Sequence, residues 1–297
     1  MLAGLTSCNR KAWIFTSFRE PATEGLRIAY SWDGYRWTDL DTIFLRPSID
    51  SNVMRDPSMV KGPDGTYHLV FTSAWNGTKS FGYASSKDLL NWNPQIAVPV
   101  MQHEPSTVNV WAPEIFYDDT EDRFIIIWAS TIPFRFPKGQ EDEYNNHRMY
   151  YTTTKDFKTF SETKLFLDPG FSVIDCVILK RGKQDYVLVL KDNTRPNRNI
   201  KIAFAKNPLG PYSVPSEPFS PGFTEGPTVL KKGEDYLVYY DQYRDKIYGA
   251  KRTKDFKEFT DITGEVSLPA GHKHGTIVPV RKKELNRLIR SVNAGTN

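Results

Sequence analysis

Arg55-Asp56-Pro57-Ser58-Met59-Val60, Trp111-Ala112-Pro113-Glu114-Ile115-Phe116, Val173-Ile174-Asp175-Cys176-Val177-Ile178, Thr224-Glu225-Gly226-Pro227-Thr228-Val229 and Lys273-His274-Gly275-Thr276-Ile277-Val278 are five versions of one pattern. Each opens a strand-like run with an ionisable side chain at the same place: Asp56, Glu114, Asp175, Glu225 and His274. They recur at intervals of about 50–60 residues, slightly longer than the roughly 40–50 of a propeller repeat, a difference that loop insertions supply. A fixed residue at the head of a repeated strand is how a radially closed fold builds one central site. That site would hold four carboxyl groups and one imidazole.

Two further repeats run in step. Ile28-Ala29-Tyr30-Ser31-Trp32-Asp33 ending at Trp37 recurs as Gly82-Tyr83-Ala84-Ser85-Ser86-Lys87-Asp88 ending at Trp92, and as Tyr150-Tyr151-Thr152-Thr153-Thr154-Lys155-Asp156 ending at Phe160. A degenerate copy, with Asn207 and Tyr212, and a last one, with Asp255 and Phe259, complete the set. Between them lie β-branched and aromatic runs such as Tyr67-His68-Leu69-Val70-Phe71-Thr72 and Tyr236-Leu237-Val238-Tyr239-Tyr240, each preceded by turn residues. Such near-continuous apolar runs fit strands buried on both faces. Residues 12–39 supply strands without an inner one, and residues 274–280 supply an inner strand with nothing behind it. Joined, they complete a fifth blade and leave no free sheet edge. The expected fold is all-β: one five-bladed β-propeller over residues 10–281, four strands per blade, closed by pairing of the N- and C-terminal segments. A C-terminal extension, 282–297, carries the one helix-like stretch, Lys282 to Arg290.

Composition narrows the function. The formal charge of +4 is spread along the chain without a basic block, so nucleic acid is not an expected partner. Aromatics make up 13% of residues, enough to fill the spaces between blades, with Trp75 and Trp111 placed beside strand ends where a ring can stack on a sugar face. Two cysteines exclude a disulfide framework. Residues 1–9, Met1-Leu2-Ala3-Gly4-Leu5-Thr6-Ser7-Cys8-Asn9, resemble the end of a bacterial lipoprotein signal, which implies a lipid anchor through Cys8 and a cell-envelope location. Oligomeric state is left open.

The five motifs together resemble glycoside hydrolase family 43, over nearly the whole chain. The resemblance implies a five-bladed propeller that hydrolyses glycosides with inversion. It implies that Asp56 is the general base, Glu225 the general acid, and Asp175 the third carboxylate, which orients the acid and tunes its pKa. Inversion needs base and acid about 6.5–9.5 Å apart, so that a water fits between. It also needs Glu225 protonated, for which Asp175 is the expected neighbouring charge. Glu114 stands where the family usually has Asp and is expected to line the pocket or act as a structural acceptor. His274 resembles an axial residue that in some members helps to hold calcium through water, so a candidate Ca2+ site lies there. No other cofactor is required.

A related clan of fructan-cleaving propellers carries Arg-Asp-Pro on its second blade and needs a Glu-Cys pair, which this chain lacks. The implied activity is therefore exo-glycosidic: α-L-arabinofuranosidase or β-D-xylosidase, then galactosidase or galactofuranosidase. A non-catalytic carbohydrate-binding propeller is the runner-up. Specificity is expected in the loops 130–148 and 190–200, with Pro133-Phe134-Arg135-Phe136-Pro137 walling the pocket.

Overall fold

A computed structural model describes residues 11–295. Cys8 and the rest of residues 1–9 lie outside the described residues. The chain opens with β1 (Lys11–Ser17), β2 (Arg27–Ser31) and β3 (Trp37–Asp39). Blade one follows as β4 (Arg55–Lys61), β5 (Tyr67–Thr72), β6 (Ser80–Ser86) and β7 (Ile96–Pro99). Blade two is β8 (Trp111–Asp118), β9 (Arg123–Thr131), β10 (His147–Thr154) and β11 (Lys164–Leu167). Blade three is β12 (Val173–Gly182), β13 (Asp185–Asp192) and β14 (Asn199–Ala205). Blade four is β15 (Thr224–Lys232), β16 (Asp235–Gln242), β17 (Ile247–Thr253) and β18 (Thr260–Asp261). The chain ends in β19 (Ile277–Arg281) and a helix, α1 (Lys282–Gly295).

The closing sheet has the order β19-β1-β2-β3, so the last strand of the chain becomes the inner strand of the blade begun by the first three. Antiparallel pairs from Lys11 with Arg281 to Phe15 with Ile277 lock this closure. Gly275 is required there, because a Cβ would meet the carbonyl oxygen of Thr16 at 1.6 Å. Each neighbouring pair of blades shares its own apolar cluster, as in the seam of Val70, Phe81, Ile126 and Trp128 between blades one and two. Strands buried on both faces are the reason the apolar runs are continuous rather than alternating. The helix lays Leu285 and Leu288 into the seam between the closing blade and blade one.

The Ser/Thr-x-Asp repeat is a turn device. In the copy at Thr154, the hydroxyl accepts the amide of Phe157, and Asp156 Oδ1 accepts the amides of Lys158 and Thr159. Ser31 with Asp33, Ser86 with Asp88, and Thr253 with Asp255 do the same. Short side chains that bond their own backbone favour turns over ladders.

One expectation is corrected: blade three has three strands, not four. Its degenerate repeat runs into a tract containing Pro211, Pro215, Pro218 and Pro221, and proline has no N–H for a ladder. The tract still covers β14. Ser213, Ser216 and Ser220 accept the amides of Phe204, Ile202 and Ile200 through their hydroxyls.

Candidate active site

The inner strands share a defect that aims the site. In blades one to four the register slips by one residue between Arg55 and Ser58, Trp111 and Glu114, Ile174 and Val177, and Glu225 and Thr228. The residue inside each bulge, Asp56, Ala112, Asp175 and Gly226, has φ of +49°, +44°, +54° and +55°. In the closing blade the slip falls between the bridge of Lys273 with Phe18 and the pair of Ile277 with Phe15, which places His274 in the bulge. A bulge bends the strand and re-aims a side chain.

The sequence alignment is corrected accordingly. Asp56, Asp175 and His274 are equivalent, Glu225 sits one residue ahead of its bulge, and Glu114 sits two residues beyond its own. Glu225 therefore reaches the same opening from a different backbone position. Glu114 falls deeper along the axis.

The opening is a cavity of about 190 Å³ lined by Asp56, Asp175, Glu225, His274, Trp75 and Trp111, together with Arg55, Thr72, Ala112, Asn145, His147, Ile174, Lys191, Asn193 and Arg198. All the expected site residues except Glu114 meet here. His274 joins the carboxylates, its Nδ1 lying 3.2 Å from Asp56 Oδ1 and 3.8 Å from Asp175 Oδ1. Burial opposes its charge, but the carboxylates of Asp175, Asp56 and Glu225 overcome this and push its pKa up to about 9. Burial also works against ionised Asp56, yet the His274 bond and charge, Arg55 and Thr72 hold it below the usual Asp range. Thr72 Oγ1 donates to Asp56 Oδ2 at 2.9 Å. Asp175 is raised, first by burial and then by Glu225 and Asp56, against the pull of His274 and Lys191. The Gly226 amide donates to Asp175 Oδ2 at 3.1 Å.

Glu225 departs from expectation. Lys191 Nζ donates to Glu225 Oε2 at 3.1 Å and lies 3.9 Å from Asp175 Oδ2. Burial raises the Glu225 pKa, but the Lys191 charge and hydrogen bond outweigh burial and hold it below the usual Glu range. Sequence reasoning missed Lys191. Its signal was a lysine closing the apolar run Tyr186–Leu190, opposite Ile174 in the ladder and beside Asp175. His147 was missed too. It is a buried, neutral imidazole, its pKa lowered to about 3 first by burial and then by Lys191, Arg148 and Arg198. Thr131 and Asn145 bond its two nitrogens at 2.6 and 3.0 Å.

Other expectations are adjusted. Glu114 does not line the cavity; burial pushes its pKa up to about 7, and Thr276 Oγ1 reaches its Oε2 at 3.4 Å. One face of Trp75 is covered by the Arg55 guanidinium, 4.0 Å from the ring centre, which removes that face from stacking on a sugar. Residues 133–137 do not wall the cavity. Phe134 points to solvent, Arg135 pairs with Glu104, and Phe136 lies under Arg148. The two loops contribute Asn145, Asn193 and Arg198 instead. No cluster of three or more His, Cys, Asp and Glu side chains that could hold a metal directly occurs among the described residues; contact with a calcium ion through its water shell, as expected at His274, does not require one.

The chain is a five-bladed propeller that brings carboxylates from separate blades around one axial cavity. A family model described as a probable glycosyl hydrolase domain, related to family 43, matches residues 9–286, and the chain belongs to that family. An α-L-arabinofuranosidase of Bifidobacterium longum subsp. longum is 26% identical over 165 residues, 48% of this chain. The match spans only 15% of that relative's length. An α-L-arabinofuranosidase from Clostridium thermocellum shares the fold with a TM-score of 0.62 at 14% identity, over 88% of this chain and 93% of that one. An α-L-arabinanase of Cellvibrio cellulosa complexed with arabinohexaose does so with a TM-score of 0.60 at 13% identity, over 87% and 95%.

Proposed function

We propose that the protein removes a terminal sugar by inverting hydrolysis, with an α-L-arabinofuranoside as the first expected substrate and a β-D-xyloside as the second. The observation that carries this reading is the meeting of three carboxyls from separate blades, Asp56, Asp175 and Glu225, on the wall of one small cavity. Asp56 takes a proton from water as that water attacks the anomeric carbon. Glu225 gives its proton to the leaving oxygen as the glycosidic bond breaks. The carboxylate left on Glu225 is then stabilised by Lys191, which makes Glu225 a stronger acid and lowers the fraction protonated at neutral pH. His274 and Asp175 orient the pair. The arabinofuranoside preference rests on the named relatives, and the small cavity suits a single terminal sugar.

Aryl arabinofuranosides, xylosides and galactosides, followed by proton NMR, test the proposal. Release of one sugar with inverted configuration is expected; release with retention would overturn Asp56 as a base acting through water. Asp56→Asn and Glu225→Gln are expected to lower kcat by about 10²–10⁴-fold with the circular dichroism spectrum unchanged. Full kcat in either variant removes that residue from its role. The Lys191–Glu225 pair also favours a second reading, a propeller that binds sugars without cutting them. Calorimetric binding without turnover of any glycoside would establish it.

A further inference from the structure

Arg198 lines the cavity, yet it has no ion pair among the described residues, and its Nε is buried without a hydrogen-bond partner. The neighbouring carboxylates already have cations. Glu225 is paired with Lys191, Asp56 with His274, Asp192 with Lys201, Asp241 with Lys273, Asp168 with Arg148 and Glu141 with Arg195. Arg198 is thus a surplus guanidinium in a partly desolvated wall. An unpaired charge there is costly, and a planar fork of donors matches a carboxylate in two parallel bonds. The backbone holds it deliberately. Arg198 has φ of +47°, a conformation unfavourable for a residue with a Cβ, and its amide and carbonyl are bonded to Thr194 O and the Thr224 amide at 3.3 and 3.1 Å.

That last bond sets the side of the cavity. Thr224 precedes Glu225, and the Arg198 charge bears on His147, so Arg198 stands on the blade-three wall between His147 and the acid, on the side towards Glu225 where the leaving group departs. We propose that Arg198 binds the carboxylate of a uronic acid in the leaving group, so that the natural substrate is a neutral sugar linked to a hexuronate. This rests on the glycosidase reading of the same cavity.

Binding is measured first, because it does not depend on turnover. Calorimetry compares glucuronate and galacturonate with glucose and galactose on the wild-type chain and on Arg198→Gln. At least one hexuronate is expected to bind ten-fold or more tighter than its neutral counterpart, and Arg198→Gln is expected to abolish the difference. Equal affinities, no binding of either kind, or a preference that survives in Arg198→Gln would overturn the proposal. Hydrolysis then separates the two readings. Arg198→Gln is expected to lower kcat/KM on a neutral aryl glycoside by a factor at least ten-fold smaller than on a glycosyl hexuronate. On a glycosyl hexuronate it is expected to lose at least ten-fold, with KM carrying the loss. An equal loss on both substrates would make Arg198 structural and overturn the proposal. Absence of all hydrolysis, with the carboxylate preference in binding intact, would count against the glycosidase reading and leave the Arg198 site standing.

Discussion

Lys191 sets the chemistry of Glu225 more directly than any neighbouring carboxylate does. The acid must be protonated to act, and its pKa lies below the usual Glu range because of the Lys191 charge and hydrogen bond. Activity on the free enzyme should therefore be highest on the acid side and fall as pH rises towards neutrality. Lys191→Met removes the cation, so Glu225 should hold its proton to higher pH. The expected result is an alkaline limb of the kcat/KM profile displaced upward; an unmoved limb would show that Glu225 does not define it. Glu114 gives a test of stability. Its folded pKa of about 7 lies above the model-peptide value of 4.5, so ionisation costs stability as pH rises through that window. Glu114→Gln should match the wild type near pH 4 and exceed it above pH 7 by on the order of 3 kcal/mol. Equal melting temperatures of the two proteins at pH 8 would contradict the buried-acid account.

The inner-strand bulge is the element on which the site depends. It re-aims the strand at the axis, and Asp56 and Asp175 enter the cavity from it at positive φ, a conformation that costs an L-residue roughly 1–2 kcal/mol. In blade four the bulge residue is Gly226, where a Cβ would meet His274 Cγ at 2.6 Å and Cβ at 2.7 Å. Gly226→Ala should therefore displace His274, loosen its contact with Asp56, and lower kcat by ten-fold or more as well as the melting temperature. A variant with unchanged kcat would show that the approach of Gly226 to His274 is not needed. Bulges are also why the sequence alignment slipped. Motif similarity aligned Glu114 and Glu225 with Asp56, whereas the ladders put Ala112 and Gly226 in that place. Nothing in the residues themselves marks which of two adjacent positions carries the extra one.

At the scale of the molecule, stability rests on closing the ring. The seam between the closing blade and blade one contains residues from both ends of the chain and from α1. Truncation before Ile277 removes β19, exposes β1 as an edge beside an open axis, and should give an aggregating protein. Truncation after Arg281 keeps the ring but uncovers the seam beneath Leu285 and Leu288. It should stay folded with a lower melting temperature, each buried leucine contributing about 1.5–3 kcal/mol. Scanning calorimetry and size-exclusion chromatography distinguish the two. A soluble, cooperatively melting chain without β19 would refute closure as the main constraint.

Five repeats of strand signals, turn signals and head residues made the propeller, its closure and four members of the axial set, Asp56, Asp175, Glu225 and His274, legible in the sequence. Local periodicity and turn chemistry carry that information along the chain. The ionisation of Glu225, the burial of Glu114 and the arrival of Lys191, His147 and Arg198 at the cavity were decided by tertiary structure. Each depends on which groups meet across blades and how far water is excluded, and such distances are not written in the order of residues.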